Sequence, residues 1–345
     1  MAAYTTIDDP EAYFQVKLYT GDGSTPSITL DGDTDMQPDM VWIKNRDETD
    51  SHCLFDSVRG ATKVIHADAT DTETTDADTL TSFDSDGFAL GADVKVNTDT
   101  EKYVAWCWKA GTGTATNTNG SEDTTVNVNT TSGFSIVTWT GTGNAETFGH
   151  SLGANGDVVI IKNRGSDSVD GWYVNHNKVA STETLFLNTN AAEATSAIYL
   201  NTAPDSTSFR FDSDQTEAHV AYCFSAKQGF SKFGSYEGNS DADGTFVYTG
   251  FRPAFLLYKN TNNANGWGLT DNKRETFNVM GDNNIQSNSS GAESGNSAYY
   301  HDFLSNGFKA RTADDQINRT GDVYIYMAFA EAPFVNSNGV PCNAR

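Results

Sequence analysis

Prolines are scarce in this chain, seven in 345 residues, and Lys and Arg number 22 against 46 Asp and Glu. The formal charge of −24 sets a repulsive field against phosphate backbones, which excludes nucleic acid as an expected partner. No apolar run approaches the roughly 20 residues of a membrane-spanning helix, so no membrane insertion is expected. The start, "MAAYTTIDDPEAYF", has neither a basic nor an apolar leader pattern, and no secretory signal is expected. Four cysteines without C-x-x-C spacing are too few for a disulfide scaffold.

Catalytic and metal motifs are missing as well. The six histidines are scattered with no H-E-x-x-H, which argues against zinc. There is no G-x-S-x-G elbow, no P-loop and no G-x-G-x-x-G. Asp31, Asp33 and Asp35 have the alternate spacing of a calcium loop. An EF-hand, however, needs glycine and glutamate where this chain has Met36 and Trp42, so the turn reads as a solvated hairpin loop. Ser57 beside Asp56 has no base fixed relative to it. The sequence therefore predicts no enzyme, no catalytic residue, no metal and no cofactor.

What is present is a repeat. Gly, Thr, Asn, Asp and Ser are abundant and aromatics reach 12%, a mixture of short strands and polar turns. "FQVKLYTG", "FSIVTWTG" and "FSKFGSYEG" open three units at Phe14, Phe134 and Phe230. About thirty residues later come "DMVWIKNR", "DVVIIKNR" and "AFLLYKNT", with lysines 44, 162 and 259. The units close on "YVAWCWKAG", "HVAYCFSAK" and "YIYMAFAEA". A period of about 100 residues is that of a small domain, longer than one solenoid turn or propeller blade.

In the closing line Val104, Trp106 and Trp108 share one strand face, while Ala105 and Cys107 share the other. The pattern recurs as Val220, Tyr222, Phe224 over Ala221, Cys223, and as Ile325, Met327, Phe329 over Tyr326, Ala328. A strand apolar on both faces is central and covered on both sides, so the cysteines are packing residues.

The expected fold is all-β: three tandem antiparallel β-sandwich, jelly-roll-like modules. The boundaries are 1–112, 132–227 and 228–334, with a Gly/Thr/Asn-rich linker at 113–131 and a C-terminal tail at 335–345. "TVNVNT" within the linker could add an edge strand. Strands are expected near 14–20, 27–30, 40–45, 52–57, 62–66, 79–83, 87–91 and 102–109, with a helical turn or two at 67–79 and 189–200. The last two units, joined almost directly, are expected to pack as a pair.

Trp172 and Trp267 both follow glycine, at the place where the first unit has His52. With Tyr299 and Tyr300 they are the candidate glycan-stacking aromatics, the alternative being that the tryptophans pack between sheets.

The wording "AYTTIDDPEAYFQVKLYTGDGS", "LFDSVRGATK", "TLTSFDSDGFALGAD", "DFLSNGFKARTA" and "NGVPCNAR" resembles proteins of marine bacteriophages of the cyanophage and pelagiphage type. These are virion structural or tail-fibre-like proteins of no settled function. The resemblance covers nearly the whole chain and implies a non-enzymatic virion component, either a tail fibre or spike for host adhesion or a head fibre or decoration. It implies other virion proteins as partners, a homo-oligomer (a trimer, with a pseudo-threefold monomer as the other possibility), a host surface polysaccharide as possible ligand, and a virion location. The alternative function class is a carbohydrate-binding, lectin-like module. The middle unit departs from its neighbours, with "VNHNKVA" in place of "LFDSVRG".

Overall fold

The closing lines of the three units become the central strands of three sheets, and the alternation along them explains the architecture. The computed structural model describes residues 3–165, 171–199, 201–212 and 216–343. The first unit runs β1 (Phe14–Thr20), β2 (Ser27–Thr29), β3 (Met40–Asn45), β4 (Cys53–Asp56), β5 (Lys63–His66), β6 (Thr74–Thr75), β7 (Leu80–Asp84), β8 (Gly87–Leu90) and β9 (Lys102–Trp108). An arm of β10 (Ala115–Asn117) and β11 (Thr124–Asn129) follows. The second unit has β12 (Phe134–Thr140), β13 (Ala145–Gly149), β14 (Val158–Asn163), β15 (Trp172–His176), β16 (Glu183–Phe186), β17 (Ala194–Thr195), β18 (Ser208–Asp212) and β19 (Ala218–Phe224). The third has β20 (Ser231–Glu237), β21 (Phe246–Tyr248), β22 (Phe251–Asn260), β23 (Gly268–Asp271), β24 (Ile285–Gln286), β25 (His301–Leu304), β26 (Gly307–Ala310) and β27 (Val323–Pro333).

All named strand pairs are antiparallel. The larger sheets have the orders β1-β9-β3-β4-β5-β6, β10-β11-β12-β19-β14-β15-β16-β17 and β20-β27-β22-β23-β24. The smaller ones are β2-β8-β7, β13-β18 and β21-β26-β25. In each unit the first strand pairs with the last and the second with its penultimate partner (β1 with β9, β2 with β8). That is the wrap of a jelly roll. The intervening strands β3 to β6 then run on as a meander in the larger sheet.

Val104, Trp106 and Trp108 point into one apolar core to which all three units contribute, with Val220, Tyr222, Phe224, Ile325, Met327 and Phe329. The opposite faces look outward into three separate cores, each between a larger sheet and its smaller partner. Cys53 and Cys107 lie in the first of these and Cys223 in another, all buried and unpaired. Each larger sheet is thus covered on both faces, as the two-sided apolar strands require. The shared core is tightly packed: a void of about 20 Å³ lined by Met40, Trp108, Ile160, Phe224, Phe255 and others has room for one water and no polar partner to hold it.

Three expectations change. The described residues of the 67–79 and 189–200 segments are not helical: they hold the two-residue strands β6 and β17, and the surrounding Asp, Thr and Ala run in turns; residue 200 lies outside the described residues. The 113–131 segment is no free linker, since β11 pairs along β12 and extends the second unit's sheet. The arm is also tied to the first unit, Asn127 donating to Asp39 (3.0 Å) and Ser57 (3.1 Å). The second and third units do not pack as a pair apart from the first, because one core takes residues from all three.

Candidate functional site

Glycine precedes Trp172 and Trp267 because a Cβ there would run into Asn188 and Phe186 at the first (2.8 Å and 2.9 Å) and into the Gln286 side chain at the second (2.6 Å). Trp172 is 0% exposed and Trp267 2% exposed, both in the shared core. Trp172 Nε1 donates to the carbonyl of His66 (2.8 Å) and Trp267 Nε1 to that of Phe186 (2.9 Å). His66 and Phe186 end β5 and β16, the same place in successive units. The first unit completes the set with His52. Trp42 donates to His52 Nδ1 (2.8 Å), which leaves Nε2 protonated toward the carbonyl of Gln286 (3.1 Å), at the end of β24. The first unit therefore reaches the third, the second reaches the first and the third reaches the second. The two tryptophans present no face to a sugar, and the stacking expectation for them is overturned. They pack between units, where a buried indole N–H needs an acceptor.

A second layer of contacts closes in the same sense. Tyr222 donates to Asp56 (2.8 Å), which is paired with Arg59 (2.5 Å), and Arg59 with Glu73 (3.0 Å). Arg164, from the second unit, also binds Glu73 (2.8 Å). At the equivalent joint Trp106 Nε1 donates to Asp271 (3.0 Å), Asp271 pairs with Arg274 (2.6 Å), and Glu293 pairs with Arg46 (2.5 Å). The third joint is built without the charge. Met327 stands where the others have Trp106 or Tyr222, His176 replaces the aspartate and Val179 the arginine, and Thr261 replaces Arg46 or Arg164. A thioether donates nothing, so a buried carboxylate facing it would lack compensation. Neutral His176 instead reaches the carbonyl of Tyr326 (3.2 Å). The "VNHNKVA" departure in the middle unit is thus matched to Met327 across the joint.

One contact is common to all three joints and escaped the sequence reading. Glu73, Glu193 and Glu293 donate their backbone N–H to the carbonyls of Arg164 (3.1 Å), Thr261 (2.8 Å) and Arg46 (2.9 Å). The signal was there, a single glutamate in "DTETT", "AAEAT" and "GAESG". Burial would raise Glu73, but hydrogen bonding from Arg164 and the charge of Arg59 hold it below the usual carboxylate range. Glu193, without those arginines, is raised by burial and by Glu183, against the pull of Lys259.

His52, His66 and His176 belong to this framework, while His219 packs on Trp139 and His301 on Phe303 inside their own units. Burial holds His52 at about 3 and His176, His219 and His301 at about 4. Ser57 donates to Asp39 (2.7 Å), and its neighbour Asp56 is committed to Arg59. Asp31 pairs with Lys17 (2.5 Å). Among the described residues no group of three or more His, Cys, Asp or Glu could hold a metal ion, and no helix is long and apolar enough to cross a membrane.

Tyr299 and Tyr300 are half-buried beside β24. Tyr299 accepts from Gln286 (2.8 Å) and Tyr300 donates to Asp282 (2.9 Å). They are not brought together with the tryptophans, which lie inside. Exposed aromatics lie elsewhere: Phe277 is 82% exposed on its own, and a pair stands at the open edge of the third unit. There Phe246 and Tyr248, each 45% exposed, rim a groove of about 350 Å³ with Lys178, Lys232, Tyr236 and Tyr326. Lys232 Nζ lies 5.2 Å from the centroid of the Tyr248 ring and donates to the Tyr248 carbonyl (2.6 Å). Sequence reading passed over "TFVYTG" because a strand of pattern exposed-buried-exposed looks like any other half-buried strand.

A family model described as a domain of unknown function, DUF7483, matches residues 9–333. The chain belongs to the DUF7483 family. The DUF7483 match runs from just before β1 to the last residue of β27, so it takes in all three sheet pairs and the arm as one domain, in keeping with their common core. No curated protein and no solved structure matches.

Proposed function

We propose that this DUF7483 chain is a non-enzymatic structural component of a bacteriophage particle, displayed on its surface as a compact knob or decoration. The observation that carries the reading is the closed ring. Three β-units joined head to tail bury their larger sheets in one core, leaving an acidic outer surface and a shape suited to standing on a particle. Dense antiparallel packing around a common core resists proteolysis and shear better than an open array of modules does. The sequence resemblance to marine phage virion proteins supports the same reading, as does a surface charge that keeps such a protein soluble at high local concentration.

Of the two assemblies considered from sequence, the pseudo-threefold monomer is favoured over the homotrimer. Trimeric fibres bury between chains what this ring buries within one. Sedimentation equilibrium should give the mass of a single chain, and three times that mass would reverse the choice. The test of the function is gold-labelled antibody on purified particles. Label on the head or tail is the expected result, and particles without label would overturn the proposal.

A further inference from the structure

The three units treat the same sheet edge differently. In the second unit the arm strand β11 pairs along β12 and covers it. In the first, the edge strand β1 is closed over by the 31–36 loop: Gln15 accepts from the backbone of Gly32 (2.9 Å) and Lys17 pairs with Asp31 (2.5 Å). In the third, β20 ends its sheet and β21 ends the smaller one, and the gap between them is the groove described above. Its cross-section takes a ligand of a few sugar rings rather than a folded partner.

The lining has a definite chemistry. Phe246 and Tyr248 alternate with buried Val247, so both rings stand on one face about 7 Å apart along the strand. Two flat apolar faces at that spacing suit consecutive rings of a polysaccharide, whose C–H faces stack on aromatics. Between them and the neighbouring unit stand two cations, Lys232 on β20 and Lys178 from the turn after β15, and among the described residues the lining contains no Asp or Glu. In a chain with 46 acidic residues and 22 basic ones, two lysines facing one groove without an acid mark a place left for an anion brought from outside. Burial and the charge of Lys178 lower the pKa of Lys232, as expected of two ammonium groups whose mutual repulsion an anionic ligand would relieve.

We propose that the groove formed by Lys178, Lys232, Phe246 and Tyr248 binds an acidic polysaccharide, with sugar rings stacked on the two aromatics and a carboxylate or sulfate between the two lysines. Lys178 is exposed and Lys232 partly so, and both ammonium groups can reach a ligand without unfolding any strand. Tyr248 is held in place by Tyr4, hydroxyl to hydroxyl at 2.9 Å. The inference rests on the displayed-particle reading only for where the groove faces.

The test is calorimetric titration of the full chain with trigalacturonate, its methyl ester and a sulfated trisaccharide. Binding of trigalacturonate at least tenfold tighter than its ester is expected, falling as salt rises. A preference for the sulfated probe would support the site and identify sulfate as the anion. Lys178→Gln and Phe246→Ser should each weaken binding about tenfold, the loss of one charge-assisted contact or one stacked ring. Both side chains are exposed, so the melting temperature should hold, and an unchanged melt shows that the variants still fold. No binding of any acidic probe, equal binding of the ester, indifference to both variants, or equal binding of a tri-glutamate peptide would overturn the assignment. Binding lost while gold label stays on the particle sinks this inference alone, and binding kept without label sinks only the virion reading.

Discussion

Replacing Asp271 with Asn should destabilise the protein more than the same change at Asp56, although the two aspartates occupy the same place in their units. Asp271 accepts four hydrogen bonds: backbone N–H of Lys273 (3.1 Å) and Arg274 (2.9 Å) on one oxygen, Arg274 Nε (2.6 Å) and Trp106 Nε1 (3.0 Å) on the other. All four donors are fixed. Whichever way an asparagine amide turns, its NH2 confronts two N–H groups that cannot accept. Arg274 is also left buried, with Glu293 3.6 Å away as its remaining counter-charge. A buried pair broken in this way costs about 3–5 kcal/mol.

At Asp56 the set is Val58 N–H, Arg59 N–H, Arg59 Nε and Tyr222 Oη. A hydroxyl rotates and can accept, so asparagine there conflicts with one donor instead of two. The cost should be lower by about 1–2 kcal/mol, the worth of one buried unsatisfied group. Urea unfolding with matched m-values measures both. Equal losses, or a larger loss at Asp56, would refute the argument that donor rigidity decides the difference. Adding Arg274→Met to Asp271→Asn should restore part of the loss, because the uncompensated charge then leaves with its partner.

Acid should unfold the chain earlier than its carboxylates alone would. The depressed histidines, His52, His176, His219 and His301, stay neutral in the fold down to pH 3–4 but take up a proton near pH 6.5 when unfolded. Their contribution is complete above pH 6.5 and is lost as pH falls toward 4, at up to about 1.4 kcal/mol per histidine per pH unit. Glu73, held below its usual value, adds a loss below pH 4.5 only. Urea midpoints that stay level between pH 7 and 5 would contradict this. Native protein should react with a thiol reagent at Cys342 alone, since Cys53, Cys107 and Cys223 are buried and burial pushes their thiols up. More than one rapid thiol per chain would show that a sandwich core opens.

Much of the architecture was written locally. Strands β1 to β5 and β7 to β9 stand within a residue or two of where apolar alternation and polar turns placed them, because a strand's period of two is a property of its own residues. The two-faced closing line predicted that β9, β19 and β27 would be covered on both sides, and "TVNVNT" formed a strand, though inside the sheet with β10 as the edge beyond it. β6 and β17 were missed because two residues carry no period to read. The aromatic candidates show the opposite limit. Nothing in "GWYV" or "NGWG" says whether an indole faces solvent, its own sandwich or another unit, since burial depends on what the rest of the chain brings against it. The large face of each closing strand, the hydrogen bonds of His176 with the Tyr326 carbonyl and of Asp271 with Trp106, and the uncovered edge at Phe246 and Tyr248 all depend on contacts between residues tens to more than a hundred positions apart. Sequence alone determined that there are three like units of strands and which strands have two apolar faces. Only the tertiary structure decided that those faces meet in one core, because closing a ring is a relation among all three units and leaves no mark on the periodicity of any one.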